Sequence, residues 1–257
     1  FFKLMNNSVF GKTMENVRNR MNLHLTTDHA NAVKWFSKAE FNHNTHARGL
    51  YLIETYKTKI VYDKPVYVGC SVLDLSKLHM MDFHYNVIQA QHGDRAKLIY
   101  SDTDSFVYEI EHDNIYNWIK ENKEWFDLSK SERPGLKCKM NEGKLGLFKD
   151  ELHSLPMTEF LGLNPKTYAF RWQKEDKIQE IKKAKGVPFA TVAKDMDFEA
   201  YKEVFDEGGI ARRQTTNIGS FNQQLFTFNK NPIVLNAFYD KMKMFDRINC
   251  QPFGYLE

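Results

Sequence analysis

The run Leu98–Val107 (Leu-Ile-Tyr-Ser-Asp-Thr-Asp-Ser-Phe-Val) constrains this chain more than any other stretch. Two apolar, β-prone flanks enclose Asp102 and Asp104, which predicts a strand, a tight turn and a second strand with both acids at the bend. Residues two apart on a strand point to one side, so the carboxylates are expected together. Like charges held that close repel unless a cation lies between them. A hard divalent ion such as Mg2+ takes carboxylate oxygens while keeping waters and substrate phosphates. The chemistry expected of the bend is a metal–carboxylate site for phosphoryl or nucleotidyl transfer.

The rest of the chain is long enough for one large domain or two small ones, at 257 residues, and rich enough to bury a core, at 42% hydrophobic and 14% aromatic. Residues 3–18 read as a helix, and 26–48 as a polar, insertion-like excursion with an amphipathic patch at Ala32–Phe36. Residues 50–62 and 65–69 are strand-like, with Tyr51, Ile53, Ile60, Tyr62, Val66 and Val68. A long helix over 71–90 is ended by His92-Gly93-Asp94. After the hairpin, Asp113 reads as the N-cap of a helix carrying Ile115, Trp118, Ile119 and Phe126, and Pro134-Gly135 breaks the chain. Segments 145–151 and 158–170 read as extended, 177–187 as a Lys-rich strand or turn. Asp195 or Asp197 starts a helix with Phe198, Tyr201 and Phe205 on one face, and Gly208-Gly209 stops it. Short strands and loops fill 210–257. The order predicts an α+β fold, helices packed on one face of a mainly antiparallel sheet.

Net charge is only +3, but the cations cluster: Lys137, Lys139, Lys144 and Lys149; Lys174, Lys177, Lys182, Lys183 and Lys185; Arg212 and Arg213; Lys241, Lys243 and Arg247. Any one cluster reads as a solvated face; together they suit a polyanion. Cys70, Cys138 and Cys250 are odd in number and widely spaced, which points to a reducing, intracellular compartment. The histidines form no zinc-type set. No apolar run reaches the roughly 20 residues of a membrane span, so no membrane partner is expected. The chain opens at Phe1 in what reads as a helix, and a longer parent protein is expected.

Three signatures occur in order. The first is Lys3-Leu-Met-Asn-Asn7-Ser8-Val-Phe10-Gly11, where Lys3, Asn7 and Phe10 fall on one helical face. The second is Tyr100-Ser-Asp102-Thr103-Asp104-Ser105, and the third is Lys166-Thr167-Tyr168. Together they resemble family B DNA polymerases: motif B (K-x-x-x-N-S-x-Y-G), motif C (Y-x-D-T-D-S) and the downstream K-x-Y. The surrounding residues look most like the protein-primed branch found in DNA viruses, linear plasmids and self-synthesising DNA transposons. The likeness runs from Lys3 to the region of Tyr255.

The resemblance implies a polymerase palm with an antiparallel sheet and flanking helices. It implies a fingers helix over 1–25, an insertion-like subdomain over 26–60, the palm over 61–195 and a small thumb over 196–257. By analogy, the excursion at 26–48 would aid processivity or strand displacement. Asp104 would be the main metal ligand, with Asp102 beside it. Lys3 would contact the triphosphate of a dNTP, Asn7 and Phe10 would line the base-pair pocket, and Lys166 and Tyr168 would touch the primer strand near its 3′ end. The basic runs after Lys174 would track the backbone of a DNA primer–template. Two Mg2+ ions, or Mn2+, would serve the complete polymerase, and a terminal protein would supply the first hydroxyl.

Two departures stand out. Phe10 replaces the family's Tyr, keeping the ring and losing the hydroxyl; weaker nucleotide binding or looser sugar selection is expected, and unchanged nucleotide kinetics in Phe10→Tyr would defeat that idea. Motif A (D-x-x-S-L-Y-P), which supplies the other metal carboxylate, and the exonuclease motifs do not occur. The expectation is that this chain alone does not extend primers at a useful rate. The alternatives are a non-catalytic remnant that holds DNA or a partner, and, remotely, a haloacid-dehalogenase-type phosphatase with Asp102 as nucleophile and Asp104 as general acid.

Overall fold

A computed structural model describes residues 1–221, 224–239, 241–246 and 249–252. Arg247 and Tyr255 lie outside the described residues. The fold is mixed α+β with several small antiparallel sheets. It divides into two units, Phe1–Met80 and Met81–Glu257.

The first unit opens with helix α1, Phe2–Thr13, which buries no residue. A 3-10 turn, Val17–Asn19, leads into strand β1, Asn22–Thr26. Helix α2, His29–Phe36, is capped by Asp28, whose carboxylate accepts from the Ala30 amide at 2.9 Å. Strands β2, Phe41–Ala47, and β3, Leu50–Thr55, form a hairpin whose turn residues Arg48 and Gly49 both have positive φ (51° and 79°). The sheet order is β1-β3-β2, all antiparallel, with Ile53 and Ala32 fully buried. The polar excursion expected at 26–48 is therefore a structured part of a three-stranded sheet with a packed helix.

The strand expected over 65–69 is helix instead. Helix α3 runs Val66–Asp82, directly after Pro65, whose fixed φ suits a helix start. At Gly69 a Cβ would stand 2.2 Å from Met14 Cγ, so the helix backbone closes directly onto that side chain. The strand expected over 50–62 stops at Thr55. The division between the units falls within α3, which continues as a π-helical stretch, Phe83–Gln89, and a last turn α4, Ala90–His92. Gly93 at φ 55° ends it, as its position implied.

The second unit begins with a 3-10 turn and the hairpin of β4, Ala96–Asp102, and β5, Ser105–Ile110. Helix α5, Ile115–Glu121, is capped by Asn114, not Asp113: the Asn114 side chain accepts from the Tyr116 amide at 3.2 Å. Phe83, Val87, Ile88, Ala96, Trp118, Phe126 and Leu128 pack into one core. The extended segment expected at 145–151 is irregular. Gly143 and Gly146, at φ 71° and 80°, turn the backbone there, and only an isolated bridge joins Phe148 to Phe126.

Strands β6, Met157–Asn164, β7, Thr167–Lys174, and β8, Lys177–Lys183, form an antiparallel meander. The single segment expected at 158–170 is thus two strands with a turn at Pro165-Lys166. Helix α6, Phe189–Asp195, was not anticipated. Helix α7, Phe198–Glu207, is capped by Asp197 and ended by Gly208 at φ 66°. Tyr201 and Val204 of α7 pack with Leu163, Ala169 and Leu235 in a second core. The tail pairs β9, Ile210–Arg212, with β12, Ile233–Asn236; β10, Thr215–Phe221, with β11, Gln224–Lys230; and β13, Met242–Met244, with β14, Cys250–Pro252. The one broad sheet expected from the element order is replaced by separate small ones; β4–β5 shares no ladder with β6-β7-β8 among the described residues. No described helix is long and apolar enough to cross a membrane.

Candidate functional site

The acids sit on the β4–β5 turn. Asp102 ends β4 opposite Ser105, and the Asp104 amide donates to the Asp102 carbonyl at 2.6 Å around Thr103 at φ 56°. That is a γ-turn of the rare positive-φ kind, held by a β-branched residue that avoids this region elsewhere. The expectation that the acids share one face of a strand is corrected: a turn, not the pleat, sets their directions. Upstream, the register slips between Leu98 and Tyr100, leaving Ile99 as an extra residue in β4. Such a bulge re-aims the next side chain, here Tyr100.

The β6–β7 turn holds the third signature. Pro165 followed by Lys166 at φ 63° has the pattern of a type II turn, with lysine where glycine is usual. Lys166 and Asp102 are 64 residues apart in sequence, yet Lys166 Nζ donates to Asp102 Oδ2 in an ion pair. The Lys166 amide also donates to the Tyr100 hydroxyl at 3.1 Å. The Tyr100 ring lies 5.0 Å from Tyr168 and 5.6 Å from Phe160. Tyr168, Phe170 and Trp172 alternate on one face of β7, their rings 6.2 Å and 5.7 Å apart, while Ala169 between them is fully buried on the other.

Charge follows this geometry. The hydrogen-bonded Lys166 ammonium holds the Asp102 carboxyl below the usual range, and the same bond raises Lys166. Lys166 is the cation paired with Asp102 in this structure. Burial first, then the neighbouring Tyr100 and Asp102, pushes the Tyr168 phenol up, so it stays a neutral donor at pH 7. Asp104 is exposed.

Lys3, Asn7 and Phe10 form a second set, on α1 of the first unit, with Lys3 and Asn7 exposed. Their shared helical face is as the spacing implied. The aromatic row around Tyr100, Phe160 and Phe170 was not singled out from sequence, although the alternation Tyr168-x-Phe170-x-Trp172 signals it. The bulge at Ile99 and the strain at Thr103 left no such signal.

The donor set suits a hard divalent ion held by one or two carboxylates plus substrate phosphates. Among the described residues no group of three His, Cys, Asp or Glu side chains converges on one point. Cys70, Cys138 and Cys250 are free thiols. No protein-family model, curated protein or solved structure matches this chain.

Proposed function

We propose that this chain carries the motif B, motif C and K-x-Y portion of a protein-primed family B DNA polymerase: a fingers helix, a palm and a small thumb. One observation supports this most. Two signatures distant in sequence, Tyr100–Ser105 and Lys166–Tyr168, meet through an ion pair, an amide–hydroxyl bond and a ring contact. The family resemblance implies this combination for nucleotidyl transfer: carboxylates for a metal, with a cation and an aromatic beside them for the primer end.

The reaction is attack of a primer 3′ oxygen on the α-phosphorus of a dNTP, with pyrophosphate leaving. Asp104 and Asp102 would hold the divalent ion, Mg2+ or Mn2+, which when bound offsets the negative charge of the phosphates. Asp104 is the stronger ligand in this reading, because Lys166 already engages Asp102. Lys166 is exposed enough to exchange that carboxylate for a primer phosphate. Tyr168, fixed between Tyr100 and Phe160, offers a rigid ring and a neutral hydroxyl to the primer terminus. Lys3 on α1 would take the triphosphate as a point charge, with Asn7 and Phe10 against the base pair. The DNA primer–template and a terminal protein are the partners in this reading.

A second reading, a DNA- or partner-binding remnant without chemistry, draws on the absence of a third acid beside the pair among the described residues. The phosphatase alternative loses ground, since β4 pairs antiparallel with β5, whereas that motif belongs to a parallel sheet. Titration of the chain with a fluorescent dATP in Mg2+ and in EDTA separates the first two. Mg2+-dependent binding that Asp104→Asn abolishes supports the polymerase site. Binding that ignores both Mg2+ and Asp104 sinks it.

A further inference from the structure

The irregular segment between α5 and β6 carries an open depression of about 620 Å³, formed by the 129–137 loop and His153. Lys130, Arg133 and Lys137 line it, and none of them makes a salt bridge among the described residues. The acid on its wall, Glu132, is neutralised by Lys174 at 2.9 Å. The Arg133 guanidinium sits 4.3 Å from the centre of the Tyr116 ring, a seat that fixes its planar fork at the rim.

His153 is placed there by a strained backbone. It has φ 56° and the next residue, Ser154, φ 72°, two successive non-glycine residues in the left-handed region. The Asp150 carboxylate holds this shape, accepting from the Leu152 amide at 2.8 Å and the Ser154 amide at 3.0 Å. The Glu132 amide donates to the His153 carbonyl at 2.8 Å. The outcome is an imidazole whose Nδ1 is buried with no partner among the described residues. The ring is thereby held on the lining of the depression.

We propose that this depression is a binding site for a phosphate group. Three cations that make no salt bridge among the described residues supply the field, the Arg133 fork matches phosphate oxygens, and the His153 ring on the lining senses an occupant. The phosphate can belong to a nucleic-acid backbone or to a free polyphosphate. The nucleic-acid source rests on the polymerase reading. Lys174, which braces Glu132, ends the same strand β7 that carries Tyr168 near its start, roughly 20 Å apart at the usual rise of a strand. A strand held at Tyr168 would have backbone phosphates at that range.

Two probes test the site on the whole chain. A labelled single-stranded oligonucleotide is followed by anisotropy over a salt series, and the His153 ring signal is followed by NMR as inorganic tripolyphosphate is added. The variant is Lys130→Ala with Lys137→Ala, both exposed; Lys120→Ala with Lys202→Ala is the charge-matched control. Expected are a saturable His153 shift that the variant loses, and about tenfold weaker oligonucleotide binding with a log K–log salt slope flatter by about 1.4, the value for two lost single-strand contacts. A tripolyphosphate response alone supports the site and assigns it to free polyphosphate; an oligonucleotide response alone supports it and assigns it to nucleic acid. A response to neither probe, or equal losses in the control, overturns it. Because Mg2+-dependent dATP binding is not read here, failure of this site and failure of the polymerase reading remain separate results.

Discussion

Asp102 and Asp127 are both aspartates closed by a lysine, in opposite surroundings. Asp127 is 6% exposed, pairs with Lys149 at 2.8 Å, and accepts from the Ser129 and Gly143 amides at 2.9 Å and 3.3 Å. Its carboxylate is satisfied on both oxygens and clips together a loop that has almost no regular structure. Asp102 has a side chain 30% exposed, a lysine partner 57% exposed, and a bare acid two residues on. Its turn holds Thr103 at a costly φ. The first arrangement maximises local stability. The second leaves charge accessible beside a strained turn.

Several variants would erase or sharpen that contrast. The largest effect is expected for Asp127→Ala, which strands Lys149 and two amides and should cost about 3 kcal/mol of unfolding free energy. Asp102→Ala should cost under about 1 kcal/mol, as exposed pairs do. Urea titrations followed by tryptophan fluorescence read both, and equal losses would remove the distinction.

The acid limb of the stability curve comes next. Lys149 first, then the hydrogen bonds from Ser129 and Gly143, hold the folded Asp127 carboxyl well below its unfolded value. A depressed carboxyl stabilises the fold above the unfolded pKa, near 4, and that contribution fades as pH falls toward the folded value. Asp127→Asn should therefore flatten the loss of stability below about pH 4. Burial raises Asp150, so its contribution has the opposite sign, fading as pH rises through its folded pKa. A limb as steep in Asp127→Asn as in the parent would assign acid sensitivity elsewhere.

Function should divide the other way. Asp104→Asn should weaken Mg2+-dependent dATP binding at least about tenfold, or about 1.4 kcal/mol, while Asp127→Asn leaves it unchanged in chains that remain folded. Thr103→Gly should give the smallest effect, a gain of about 0.5–1 kcal/mol as the positive φ is relieved. A loss of stability in that variant would show that Thr103 is not strained.

Much of this was legible in the residues. The hairpin at Asp102–Ser105, the helix stop at Gly93, the cap at Asp197 and the stop at Gly208 rest on local chemistry, and each stands where that chemistry put it. Val66 and Val68 misled because β propensity reflects neighbours more than backbone, and here they open a helix directly after Pro65. Segment 145–151 misled because Gly146 takes a positive φ, which hydrophobic pattern does not encode.

The sequence by itself determined the acids at a bend, the helical spacing of Lys3, Asn7 and Phe10, and the order of the three signatures. Those are properties of neighbours along the chain. Only the tertiary structure decided that Lys166 closes on Asp102 rather than standing free, that Tyr100 bridges to Tyr168, and that His153 enters a cationic pocket. These contacts join residues far apart in the chain, and the register slip at Ile99 and the strained turns that aim them are set by packing, not by any one residue's preference.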